Sequence, residues 1–128
     1  MLVIIKGAGD LASGVAVRLK RAGAKIIMTE IDHPTAIRRT VSFCRAVWEN
    51  EATVEHIRAR LANSAEEAEQ IARTEEIAIL VDPEAKCIAS LKPDAVVDAM
   101  LAKRNINTRI TDAPVVIALG PGYTAGVD

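Results

Sequence analysis

Two glycines and an alanine follow an aliphatic run near the start of the chain, in the order Gly7-Ala8-Gly9-Asp10-Leu11-Ala12. This spacing is typical of the loop between the first strand and the first helix of a dinucleotide-binding βαβ unit. The first glycine permits a tight turn, the second lets the backbone approach a pyrophosphate, and the alanine lets the helix pack closely on the strand. The phosphates of the ligand lie on the free N–H groups at the helix start. We therefore predict that residues 7–12 bind the phosphates of a dinucleotide.

An acidic residue stands where such a unit needs one for the ribose. Glu30 follows the apolar residues 26–28 and lies 18 positions after Ala12. At the end of the second strand a carboxylate accepts hydrogen bonds from a ribose 2′-hydroxyl and repels a 2′-phosphate. The sequence therefore predicts NAD or another dinucleotide without a 2′-phosphate. A loop that serves only packing and binds no nucleotide stays open as an alternative.

Charged side chains follow the other predicted strands. Arg38 comes after the second strand, on the adenosine side of such a site, and can reach a phosphate. Asp82 directly follows the apolar residues 77–81, and Lys103 comes shortly after Asp98. These side chains are candidates for cofactor binding or for acid–base work. Each also has a plainer interpretation, as a surface charge, a helix cap or a turn residue.

A glycine-rich loop that includes Gly120 and Gly122 follows the last predicted strand. Its N–H groups can form an anion nest, although loop geometry alone also explains the glycines. The chain has no Gly-x-Ser-x-Gly elbow, no His-Glu-x-x-His and no P-loop with its lysine. Cys44 and Cys87 lie far apart and form no Cys-x-x-Cys pair, so no metal site is predicted. Catalytic residues therefore stay unassigned.

Apolar strand patterns alternate with helical patterns along most of the 128 residues. Apolar residues recur at helical spacing from Leu11 to Ala22, and Ser64 with Glu67 forms a capping box for a later helix. The order βαβ, an insertion, αβαβ and a final β predicts an α/β fold. We expect a Rossmann-like, doubly wound, mostly parallel sheet in a single domain, residues 1–128. The carboxyl ends of its strands line one edge, where ligands bind.

Residues around 41–61 form a small β insertion in this prediction. Apolar residues alternate at Val41 and Phe43 and again over residues 53–61, with a turn at Glu49-Asn50-Glu51 between the halves. A helix over residues 52–61 remains an alternative, because Ala, Glu and Arg favour helix. Trp48 is either core filling or an exposed interface anchor.

Composition and charge exclude several classes of partner. Half of the residues are apolar but only 2% are aromatic, so the core must be aliphatic. The formal net charge is −1 and both signs are mixed along the chain, so the sequence does not indicate a basic patch that binds nucleic acid. No apolar run approaches the ~18 residues of a membrane helix, and the N-terminal run is too short for a signal peptide. We expect a cytoplasmic protein that binds neither nucleic acid nor a membrane.

The motif strings together resemble one protein family. They cover residues 3–14, 28–30, 34–43, 81–83, 102–105 and 120–126, in order through nearly the whole chain. In these strings the chain closely resembles the YqeB-type proteins, which are associated with selenium-dependent molybdenum hydroxylases. Those proteins are distantly similar to accessory proteins that load molybdenum cofactor into xanthine dehydrogenases and carry a Rossmann domain. Family members continue past the glycine-rich loop, so we expect this chain to be a shortened form.

The resemblance implies a nucleotide-binding accessory protein in the maturation of a selenium-dependent molybdenum hydroxylase, its client. The expected ligand is NAD, another dinucleotide or a molybdopterin dinucleotide, and extensive aliphatic faces favour a homo-oligomer. Two other functions stay open. One is an NAD-dependent oxidoreductase domain with Lys103 or Asp98 as proton donor or acceptor. The other is a protein-interaction domain whose nucleotide site is vestigial.

Overall fold

The computed structural model of the protein describes residues 1–31, 42–100 and 112–119. Strands and helices alternate through these ranges, as the sequence pattern predicts. The elements are β1 (Leu2–Lys6), α1 (Asp10–Arg21), β2 (Lys25–Glu30), a 3-10 turn (Phe43–Arg45), α2 (Ala46–Glu49), β3 (Glu51–Val54), β4 (Ile57–Ala62), α3 (Ala65–Ala72), β5 (Ile77–Val81), α4 (Cys87–Leu91), β6 (Ala95–Asp98) and β7 (Val115–Ala118).

The strands form one sheet in the order β3-β4-β5-β2-β1-β6-β7. Every neighbouring pair is parallel except β3 and β4, which form an antiparallel hairpin at one edge. The predicted α/β, Rossmann-like, mostly parallel sheet with a small β insertion is therefore confirmed. The chain passes from β1 to β2 on one side and later returns to β6 on the other side of β1. This change of direction creates the switch point at which ligands bind in such sheets.

Helices cover both faces of the sheet, as a doubly wound fold requires. On one face, α1 and the turn at Phe43 pack with strand residues such as Ile5 and Met28. On the other face, α3 and α4 pack with residues such as Ile4 and Ile27. Because side chains alternate between the faces and both faces are covered, the central strands are mostly apolar, with polar residues near their ends.

The helix ends follow the predicted signals. Helix α1 stops at Arg21, and Gly23 then adopts a φ of +98°, a left-handed conformation that favours glycine. Ser64 caps α3, and its hydroxyl oxygen accepts from the N–H of Glu67 at 3.1 Å. The Glu67 carboxylate accepts from the N–H of Asn63 at 3.4 Å, one residue before the usual capping-box partner.

The segment from residue 43 to residue 49 differs from the predicted alternating strand. It is helical, because Phe43, Cys44 and Ala46 are all buried against the sheet at helical spacing. Asn50 then turns the chain into β3 with a φ of +68°. The alternative of a helix over residues 52–61 is also wrong, since these residues form β3 and β4 with a tight turn at Glu55 and His56.

Trp48, which the sequence left between core and surface, is 41% exposed on α2. Across the three described ranges, none of the helices combines the length and the apolar character that crossing a bilayer requires.

Candidate functional site

Gly7 makes the tight turn between β1 and α1. Its φ of +99° lies in the region that side chains disfavour, and a Cβ atom added there would lie 3.3 Å from the carbonyl oxygen of Ala99. Its N–H donates to the carbonyl oxygen of Thr29 at 2.8 Å, which ties the loop to the end of β2. Only glycine therefore fits this position without strain.

Gly9 and Ala12 favour ligand binding at the N-terminus of α1 for different reasons. Gly9 is the N-cap of α1 with a φ of −75°, and no heavy atom of the described residues lies within 4 Å of a Cβ placed on it. The backbone is therefore open to close approach by a ligand. Ala12 is 1% exposed against the sheet, so a larger side chain would push the helix away from β1. No described side chain caps the N-terminus of α1. The N–H groups of its first turn are therefore available to a phosphate.

A buried serine holds the loop from behind. The Ser13 hydroxyl donates to the carbonyl oxygen of Ala8 at 3.1 Å and accepts from the N–H of Phe43 at 2.8 Å. The N–H of Cys44 donates to the same Ala8 oxygen at 2.9 Å. Ser13 was not among the residues predicted from the sequence, although a polar residue between the apolar positions of the buried face of α1 was a usable signal. These bonds fix the loop to the start of the inserted segment.

Replacing Ser13 with alanine is expected to destabilise the protein by about 1–3 kcal/mol, because the N–H of Phe43 stays buried without its acceptor. Denaturant unfolding measures the loss. Ser90→Ala is the matched control, since that hydroxyl is only partly buried and donates within its own helix turn, to the Cys87 carbonyl oxygen. Equal losses in the two variants would contradict the positioning role of Ser13.

Glu30 lies at the loop, as predicted. One oxygen of its carboxylate accepts from the N–H of Ala8 at 2.9 Å, and the other accepts from the N–H of Ile31 at 2.9 Å. Each carboxylate oxygen has two lone pairs, so each can accept one more hydrogen bond. The carboxylate can therefore support the loop and still receive a ribose hydroxyl.

Two side chains of the first turn of α1 border the same site. The Asp10 carboxylate accepts from the Ser42 hydroxyl, another link between the loop and the inserted segment. Leu11 is 45% exposed, as is Ile31 after β2. The two apolar side chains offer contact area for the non-phosphate parts of a ligand, whereas the Asp10 charge opposes an anion nearby.

Asp82 caps α4. Its carboxylate accepts from the N–H of Lys86 at 3.0 Å and from the N–H of Cys87 at 2.9 Å. Burial and the hydrogen bond with Asp82 raise the pKa of the Cys87 thiol to about 12, so this thiol is not a nucleophile at neutral pH. The role of Asp82 in cofactor binding stays a prediction. Arg38, Lys103, Gly120 and Gly122, also predicted as binding residues, lie outside the described residues.

A buried charged cluster lies beside the switch point. Lys6 at the end of β1 is paired in register with Asp98 at the end of β6, and both residues are buried. The Lys6 ammonium lies 3.7 Å from the carboxylate of Asp112. Burial lowers the pKa of Lys6, while the charges of Asp112 and Asp98 oppose that shift. Asp98 was a candidate acid–base residue from the sequence, but its proximity to Lys6 and Asp112 was not predicted.

A cleft with a volume of about 790 Å³ opens next to this cluster. Residues of α4 and the residues that precede β6 and β7 line this cleft, and many of them are charged. The lining includes Lys6, Lys86, Lys92, Asp94, Asp112 and Pro114. Among the described residues, no group of three or more histidine, cysteine or acidic side chains is placed to hold a metal ion.

Comparison with known proteins gives one informative match. No family model matches the chain, and no solved structure matches it. Over 127 residues, 99% of its length, the chain is 55% identical to a protein of Escherichia coli (strain K12) named "Uncharacterized protein YqeB". The chain spans 24% of the length of that protein. It is thus similar, from end to end, to about a quarter of YqeB, which supports the family resemblance seen in its motifs.

Proposed function

We propose that the protein binds a dinucleotide at residues 7–12 and acts as an accessory protein in the maturation of a selenium-dependent molybdenum hydroxylase. The observation that carries the binding proposal is the N-terminus of α1. Gly9 caps this helix directly after the tight turn at Gly7, and no described heavy atom lies within 4 Å of a Cβ placed on Gly9. An anionic group placed there meets unpaired N–H groups at the positive end of the helix dipole.

The position of Glu30 supports a ligand without a 2′-phosphate. Its carboxylate accepts from the N–H of Ala8 within the loop, so a nucleotide on the loop brings its ribose close to this charge. A hydroxyl gains a charge-assisted hydrogen bond there, whereas a phosphate is repelled. NAD, or the dinucleotide form of molybdopterin, is therefore favoured over NADP.

The accessory role rests on the resemblance to YqeB-type proteins and on the 55% identity to a segment of YqeB. In this proposal the client is a cytoplasmic molybdenum hydroxylase, and the protein self-associates. The bound dinucleotide is then either the molybdenum cofactor itself or a nucleotide that controls its transfer.

One observation favours a second function, an NAD-dependent oxidoreductase domain. The buried pair of Lys6 and Asp98 lies at the strand ends that flank the switch point, where a substrate beside the nicotinamide would stand. Such a pair can donate and accept a proton. Hydride transfer to NAD with a candidate substrate would distinguish this function from the accessory role.

A thermal-shift panel tests the binding proposal. The purified chain is heated with NAD, NADP, AMP, CMP or a molybdopterin dinucleotide, and we expect one dinucleotide to stabilise it by about 2.7 kcal/mol at ~100 times its Kd. Gly9→Asp should abolish this stabilisation, since the new carboxylate occupies the open space and repels phosphate. Gly14→Asp is the control, with the same substitution later in α1. If Gly9→Asp left the shift intact, the site would be wrong.

A further inference from the structure

The cleft beside Lys6 is separate from the glycine loop. Lys6 alternates with Ile5 along β1, and Ile5 packs in the core cluster that includes α1. Its side chain instead reaches the opposite face, where it lines the cleft together with residues of α4. A volume of about 790 Å³ suits a small molecule, because ligand pockets commonly measure about 300–1,000 Å³.

Two carboxylates balance the Lys6 charge, and their surroundings differ. Asp98 is fully buried and accepts from the N–H of Met100 at 3.1 Å, so it is a fixed part of the sheet edge. The Asp112 side chain is 17% exposed and stands 3.7 Å from the Lys6 ammonium. Asp112 therefore approaches Lys6 from the wall of the cleft, with part of its side chain facing solvent.

The other charges of the cleft leave room for an anion. Glu84 pairs with Lys86 at 3.4 Å, and Asp94 accepts from the N–H of Leu2 at 2.8 Å. Lys92 adds a further positive charge to the lining. An anionic group that replaced Asp112 would meet a buried ammonium in a medium of low dielectric constant, where an ion pair is stronger than in water.

We propose that this cleft binds a small molecule carrying a carboxylate or a phosphate, and that this anionic group displaces Asp112 from Lys6. Asp112 holds the place beside the Lys6 ammonium that the anionic group of the ligand takes. In this arrangement Lys6 binds the anionic group, and the other residues of the cleft contact the rest of the ligand and determine which ligand fits. The site is independent of the dinucleotide proposal.

Calorimetric titration of the full chain with inorganic phosphate and, separately, with citrate tests the proposal at constant ionic strength. The two probes decide between phosphate and carboxylate. Asp112→Asn should tighten binding by about tenfold or more, because the competing carboxylate is gone and its repulsion of the ligand with it. Glu84→Gln removes the same charge from the cleft lining but not from Lys6, and should change the affinity by much less.

Substitution of Lys6 separates a charge effect from a general loss of fold. Lys6→Arg should keep anion binding, whereas Lys6→Met should lose it. If Lys6→Met fails to fold, the gain in Asp112→Asn carries the test alone. Repeating the titrations in the Gly9→Asp background removes the glycine loop as a competing anion site. The proposal is overturned if neither probe binds the Asp112→Asn protein, or if Glu84→Gln tightens binding as much as Asp112→Asn does.

Discussion

Replacing Phe43 with alanine is expected to destabilise the protein by about 3–5 kcal/mol, the largest loss we expect in its core. Phe43 is 0% exposed and packs in the cluster that joins α1 to the sheet. Removing its ring leaves a cavity beneath the helix whose N-terminus forms the candidate site. Chemical denaturation measures the change in the free energy of unfolding.

The same substitution should also disturb the candidate site. The N–H of Phe43 donates to the Ser13 hydroxyl, which in turn donates to the carbonyl oxygen of Ala8 in the glycine loop. We expect weaker nucleotide binding even at temperatures where Phe43→Ala remains folded. Trp48→Ala is the control, since it also removes an aromatic ring but from a residue that is 41% exposed. A loss from Trp48→Ala equal to that from Phe43→Ala would contradict the assignment of Phe43 to the core.

Asp98→Ala should cost about 3–5 kcal/mol at neutral pH, because it removes one partner of a buried charged cluster and leaves the Lys6 ammonium with less compensation. Asp94→Ala, at the exposed start of the same region, removes a carboxylate that accepts from the N–H of Leu2. Its cost should be about 1 kcal/mol. Unfolding free energies of the two variants decide the comparison.

The pH dependence of Asp98→Ala gives a second readout. Burial already lowers the pKa of Lys6, and the Asp98 charge opposes this shift, so removing Asp98 lowers the pKa further. Below that pKa the variant must bury a poorly compensated ammonium. As the pH rises through the lowered pKa, Lys6 loses its proton and the cost of the substitution should shrink. A cost that stayed constant from neutral to alkaline pH would contradict the ionic explanation.

The local features of the candidate site could be predicted from the sequence. Gly7, Gly9 and Ala12 lie within one turn of chain, and each has a backbone or packing requirement that few residue types meet. Glu30 was predictable because it ends a strand that is adjacent to the first one. Such features depend only on neighbouring residues and on the parallel pairing of β1 with β2.

Contacts between residues far apart in the sequence could not be predicted in the same way. The contact between Lys6 and Asp112 joins residues from opposite ends of the chain, and it depends on β6 lying between β1 and β7. Alternation at Val41 and Phe43 favoured a strand, but packing beneath α1 makes the residues from Phe43 to Glu49 helical. In both cases tertiary contacts override the local pattern.

The most direct test of nucleotide binding is an amide NMR titration of the full chain with the dinucleotide selected in the thermal-shift panel. We expect the largest shift changes at the N–H groups of residues 7–12 and at Glu30, and we expect Gly9→Asp to remove them. Shift changes confined to the cleft beside Lys6, or no changes with any dinucleotide, would contradict dinucleotide binding at residues 7–12.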